Sequence, residues 1–190
     1  MDEARKQVRD EKRETLPMEP GKPKREDDEY ERKGTGNICA ACEPLTGKNF
    51  FSVTSSRTKT DWAYFLRDLI DGPYKDAEKI ILVLDNLNTH GPGSFYTVFP
   101  AAEAQRLAQK LEIHATPTHG SWLNMAEMTL SIRARQCVST RRTSKEEAKK
   151  QIMTWQQERN QAHMTMNWRF TAEDARIKLK RLYPVIEQEN

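Results

Sequence analysis

No run of about 18 apolar residues occurs in the 190-residue chain, and a helix needs that length to cross a bilayer. No apolar stretch follows Met1, so the pattern of a secretory signal is missing. Cysteine is scarce and odd in number, three residues, which fits a reducing compartment better than a disulfide framework; a cytoplasmic location and no membrane partner are expected. Aromatic residues make up 8%, and the mean hydropathy is −0.87. None of the four histidines forms an HxxxH pair, and no internal repeat is visible. The length still suffices for a buried core without disulfides, and suggests one domain or one and a half.

Charge is plentiful and unevenly placed. Residues 1–33 hold 10 Lys/Arg and 11 Asp/Glu, with Val8, Leu16 and Met18 almost the only aliphatics. Burial there is too small to offset the entropy of ordering, so residues 1–36 read as a charged arm or loop. Residues 34–130 carry 8 basic and 10 acidic groups, whereas residues 131–190 carry 13 and 7. That basic third is either a set of solvated helix faces or a footprint for phosphates.

Pattern gives the elements. Gly34, Gly36 and Asn37 mark a turn, and Ile38 to Glu43 and Phe50 to Thr54 read as a hairpin around Thr46-Gly47-Lys48. Thr60 is placed to cap a helix with Trp62, Phe65, Leu66 and Leu69 on one face, ended by Gly72-Pro73. Ile80 to Leu84, five aliphatics in a row, fits a strand covered on both faces. A helix after Pro100 with Ala104, Leu107, Ala108 and Leu111, then a strand from Ile113 to Ala115, completes a right-handed βαβ unit. Ser121 is placed to cap a helix running to about Val138. The last third reads as helical, anchored by Trp155, Trp168, Leu179 and Leu182. The class is α/β, with a core over 37–138 and a basic helical extension over 139–190.

Three carboxylates are candidates for chemistry. Asp85 ends an aliphatic strand, where open α/β sheets place ligands; it reads equally as a turn-forming Asp in Asp85-Asn86. Glu127 lies within the arc of Leu123, Ala126, Leu130, Ala134 and Cys137, so it is either paired by an arginine, reaching solvent, or a metal ligand facing Asp85 across 41 intervening residues. Asp2, taken alone, reads as a solvated terminal acid. Carboxylates without a thiol or imidazole set point to a hard cation such as Mg²⁺. Cys39 and Cys42 have metal spacing, but on a strand they face opposite ways, and only Cys137 could add a thiolate, so zinc is not expected. The four tryptophans read as core rather than as stacking platforms.

The strings from Ile81 to His90 (ILVLDNLNTH), from His119 to Glu127 (HGSWLNMAE), and from Trp168 to Arg176 with Leu182-Tyr183-Pro184 resemble the bacterial insertion-sequence DDE transposases of the mariner superfamily, the insertion-sequence family numbered six hundred and thirty. Glu29 to Thr35 and Glu43 to Gly47 resemble it too, so the likeness runs over nearly the whole chain. The resemblance implies a ribonuclease H-like mixed sheet flanked by helices, and DNA cleavage and strand transfer dependent on Mg²⁺ or Mn²⁺. It places the three acids on Asp2 (in the pair Asp2-Glu3), Asp85 and Glu127. Asn86, Asn88, His90, His119, Asn124, Arg133 and Arg135 become the candidate contacts to DNA phosphate. The implied partners are DNA, as element ends and target, and a second copy or a complementing N-terminal half.

Two departures from the family pattern stand out. Thr129 occupies the place of a second glutamate, and only Met1 precedes the first acid. The end-recognition region and most of the first central strand are therefore expected to be missing, and the chain is expected to be a fragment of low stability or inactive alone. The alternatives to a catalytic domain are a non-catalytic DNA-binding remnant that regulates the full-length transposase, and another ribonuclease H-like nuclease such as a junction resolvase.

Overall fold

The computed structural model describes residues 1–11, 18, 20–21, 30–85, 91–117, 120–136 and 145–180. Asn86, Asn88, His90, His119, Cys137 and Leu182 lie outside the described residues. Strands β1 (Asp2–Glu11), β2 (Tyr30–Cys42) and β3 (Asn49–Thr54) form an antiparallel sheet in that order. Strands β4 (Ile80–Leu84) and β5 (Leu111–Ala115) form a parallel pair. The helices are α1 (Lys59–Asp71), α2 (Gly93–Tyr96), α3 (Ala101–Lys110), α4 (Met125–Gln136), α5 (Lys145–Gln161) and α6 (Ala172–Lys178). No described helix is long and apolar enough to cross a membrane.

Alternation along β2 builds the layers, because successive side chains leave a strand on opposite faces. Cys39 and Ala41 join Trp62, Phe65, Leu66 and Ile70 of α1, Phe95 of α2, Leu107 of α3 and Leu82 and Leu84 of β4 in one core. Ile38 and Ala40 join Phe51 of β3, Leu130 of α4 and Ile152 and Trp155 of α5 in a second. The antiparallel sheet is thus the middle of three layers. The expected βαβ unit is present, with α2 and α3 between the parallel strands.

Several local expectations change. The proposed arm is in large part a β-hairpin: residues 2–11 pair with 30–40, and Gly34, Gly36 and Asn37 lie inside β2 rather than in a turn. Charged residues suit such strands because backbone pairing, rather than side-chain burial, orders the outer part of a hairpin. The β2–β3 turn falls where expected, with Gly47 at φ +75° and its N–H on the Glu43 carbonyl at 2.9 Å. Thr58, not Thr60, caps α1: its hydroxyl accepts from the Asp61 N–H at 3.2 Å, and Asp61 accepts from the Thr58 N–H at 3.1 Å, a reciprocal capping box. The four apolar positions expected on α1 are all buried.

β4 is not covered on both faces. Leu82 and Leu84 are buried, but Ile81 is 68% and Val83 44% exposed, because the described residues leave that face open. β1 is ten residues long, begins at the acid and pairs with β2, and among the described residues no strand joins that antiparallel sheet to the β4–β5 pair. The sequence between Ser121 and Val138 is not one helix. A 3-10 turn, Ser121–Leu123, is broken by the extended backbone of Asn124 before α4 begins.

Candidate active site

Register along β1 separates the two acids at its start. Asp2 lies opposite Ala40, on the face toward α4 and α5, whereas Glu3 lies opposite Cys39, on the face toward α1. Glu3 is buried and spoken for: the Arg57 Nε donates to its Oε2 at 2.5 Å and the Cys39 thiol donates to its Oε1 at 3.2 Å. Burial and the neighbouring Glu3 carboxylate push the Cys39 thiol far above its ordinary range, so it is an inert structural group.

Asp2 meets the other two candidate acids. Its Oδ1 accepts from the Glu3 N–H at 2.7 Å. Partial burial raises its carboxyl above the usual range, and the negative charges of Asp85 and Glu127 raise it further, against that hydrogen bond. Asp85 and Glu127, 83 and 125 positions from Asp2 in the chain, therefore each stand within electrostatic reach of it.

Met1 fastens them together. Its buried ammonium, held below its ordinary pKa by desolvation, donates to the Val83 carbonyl at 2.6 Å, two residues before Asp85. Its carbonyl accepts from the Asn124 Nδ2 at 2.6 Å, three residues before Glu127. Asn124, 2% exposed, then starts α4: its Oδ1 accepts from the Ala126 N–H at 3.2 Å and its carbonyl from the Glu127 N–H at 3.0 Å. Asn is a favoured residue at that position. Asn124 is thus a structural joint, not the phosphate contact expected of it. Replacing it with alanine orphans the Met1 carbonyl, and a loss of about 1–3 kcal/mol is expected, read as a lower urea midpoint with an unchanged slope.

The α4 face also differs from expectation. Its buried stripe is Ala126, Thr129, Leu130 and Arg133, at helical spacing, so Glu127 and Ala134 are exposed rather than inside the apolar arc. Arg133, 3% exposed, points inward and does not serve as a DNA contact in this conformation. Arg135 is exposed and lines a shallow cleft of about 300 Å³ with Trp122, Glu127, Met128, Ser131 and Ile132. Sequence reasoning missed Arg57 and the bracing role of Asn124. The alternation rule alone would have sent Glu3 away from Asp2 toward a buried partner.

Cys39 and Cys42 are free cysteines, and the Cys39 thiol donates to Glu3. Among the described residues, Asp2, Asp85 and Glu127 included, no group of three or more His, Cys, Asp or Glu is arranged to hold a metal ion. In donor type the acids fit a hard divalent cation, which carboxylate oxygens bind. Burial and the negative charges of Asp85 and Glu127 disfavour the charged form of Asp2, and a bound cation would favour it.

A crystal structure of the Mos1 mariner paired end complex with Mn is similar in fold, with a TM-score of 0.51 and 16% sequence identity over 85% of this chain and 50% of that one. This chain therefore spans about half the length of that protein. No curated protein matches. The family profile of the DDE superfamily endonuclease matches residues 1–150, a span that contains Asp2, Asp85 and Glu127 and most of the described elements. The chain belongs to the DDE superfamily endonucleases.

Proposed function

We propose that the chain is the catalytic domain of a DNA transposase of the bacterial insertion-sequence type, with a ribonuclease H-like core, in which Asp2, Asp85 and Glu127 hold divalent metal and direct phosphodiester cleavage. The observation that carries this reading is the match of the DDE superfamily endonuclease family over residues 1–150, a span that holds all three acids, with Asp85 and Glu127 each acting on the Asp2 carboxyl. The similar fold of the Mos1 paired end complex with Mn supports it.

Mg²⁺ or Mn²⁺ bound there would activate water and stabilise the leaving oxygen of an in-line displacement. The residues themselves supply position. Asp85 sits at the carboxyl end of β4, where the strand opens onto the surface. Asp2 is held by the Glu3 N–H and by the bonds of Met1. Glu127, exposed on the first turn of α4, would complete the site. In the cleavage step a water oxygen bonds to phosphorus and the bond to the 3′ oxygen breaks. The freed 3′-OH then attacks a target phosphorus, and the bond from that phosphorus to the target's own 3′ oxygen breaks and leaves a target 3′-OH.

A duplex carrying element ends, incubated with the chain in Mg²⁺ or Mn²⁺, is expected to be nicked with a 3′-OH product. Binding of that duplex without nicking in either metal favours the second reading, a non-catalytic DNA-binding remnant, for which the excess of 13 basic over 7 acidic groups in residues 131–190 speaks.

A further inference from the structure

We infer that the cleft between Trp122 and α4 is a binding site for an unstacked nucleobase next to the cleaved phosphate, with Trp122 as its stacking wall; this rests on the reading of Glu127 as part of the acid site. The cleft holds three kinds of surface in one row. Glu127, Ser131 and Arg135 lie four residues apart on α4, and Met128 and Ile132 run beside them, so one helical face presents a carboxylate, a hydroxyl and a guanidinium next to two apolar side chains. Met128 is 41% exposed although apolar. The indole of Trp122 closes the cleft from the 3-10 turn.

Trp122 is braced from elsewhere in the fold. The Phe170 ring meets it at 4.9 Å in an edge-to-face arrangement, the Lys178 ammonium sits 4.4 Å from its centroid, and Trp168 packs on Phe170 at 6.2 Å. Neither Phe170 nor Lys178 lines the cleft, so the brace leaves one part of the indole to the cleft. An aromatic wall fixed in advance loses little freedom when a ligand stacks on it.

The dimensions suit a nucleic acid strand. The eight helical steps from Glu127 to Arg135 span about 12 Å, roughly three base steps of 3.4 Å. A strand whose scissile phosphate lies at Glu127 brings a phosphate a few nucleotides on to Arg135. The base between them meets the indole and the Met128 thioether. Every base has a stacking face, so the site selects for an unpaired base rather than for a sequence.

The test is a double comparison on the full chain, by fluorescence anisotropy in Ca²⁺. A labelled single-stranded decanucleotide is paired with the same strand bearing an abasic site in place of each base. Trp122→Ala is expected to weaken binding of the normal strand at least about tenfold, within the range for loss of one stacking partner. Binding of the abasic strand is expected to stay unchanged. Trp122→Phe is expected to remain within about threefold on the normal strand, which separates stacking from a folding defect. Equal affinity of wild type and Trp122→Ala for the normal strand, or an equal loss on both strands, overturns the inference. Salt-dependent binding that ignores Trp122 does so while leaving the transposase reading intact, whereas wild type that binds neither strand overturns both.

Discussion

Asp85→Ala is expected to abolish metal-dependent nicking, by at least about a thousandfold. Asp85 follows Leu84, which is 2% exposed, so its Cα is fixed by a buried strand. Its parallel partner extends the pairing: the Thr116 N–H donates to the Leu84 carbonyl at 2.8 Å. The carboxylate therefore stands on a rigid base, and removing it takes away the proposed metal ligand without loosening the strand. Metal stabilisation of a displacement is worth several kcal/mol, and each 1.36 kcal/mol is tenfold in rate. Asp85→Asn, which keeps the shape and removes the charge, should be nearly as inactive. The measurement is single-turnover nicking with matched circular dichroism melts. Nicking by either variant within tenfold of wild type removes Asp85 from the site.

The second large effect concerns stability. Arg57→Met leaves the Glu3 carboxylate, 1% exposed at its side chain, without the guanidinium that contacts it at 2.5 Å. Breaking a buried pair by removing one partner costs about 3–5 kcal/mol. Arg57 keeps a quarter of its side chain exposed, so the lower end, about 3 kcal/mol, is expected, against a typical total of roughly 5–15 kcal/mol. For a chain of this size the melting temperature should fall by about 6–12 °C. Adding Glu3→Gln should restore more than half of that loss, because the amide carries no charge to strand. A melting temperature for Arg57→Met within 2 °C of wild type would show that the pair carries no stability.

These two sites differ in how much of them could be read in advance. Helix α1 and the β4–α3–β5 unit follow from local pattern: Trp62, Phe65, Leu66 and Leu69 keep a 3.6 period, and Ile80 to Leu84 is continuous aliphatic sequence. Asp85 inherits its place from that strand. The long hairpin was invisible because its outer residues are ordered by pairing across 20 to 30 positions, which no local window records. The face of α4 was misjudged because half of its buried stripe, Thr129 and Arg133, is polar; an apolar-stripe search centres on the wrong side and draws Glu127 inward. The joint at Met1 and Asn124 depends on a side-chain amide that meets a backbone carbonyl 123 positions away, and composition says nothing of it.

The account rests on one claim, that Asp2, Asp85 and Glu127 act together as a divalent-metal site. Mn²⁺ binding followed by electron paramagnetic resonance, on wild type and on Asp2→Asn, Asp85→Asn and Glu127→Gln, tests it most directly. The account predicts saturable binding by wild type and a loss of at least tenfold in affinity for each variant, with the folds intact by circular dichroism. Wild-type affinity retained by all three variants would contradict it.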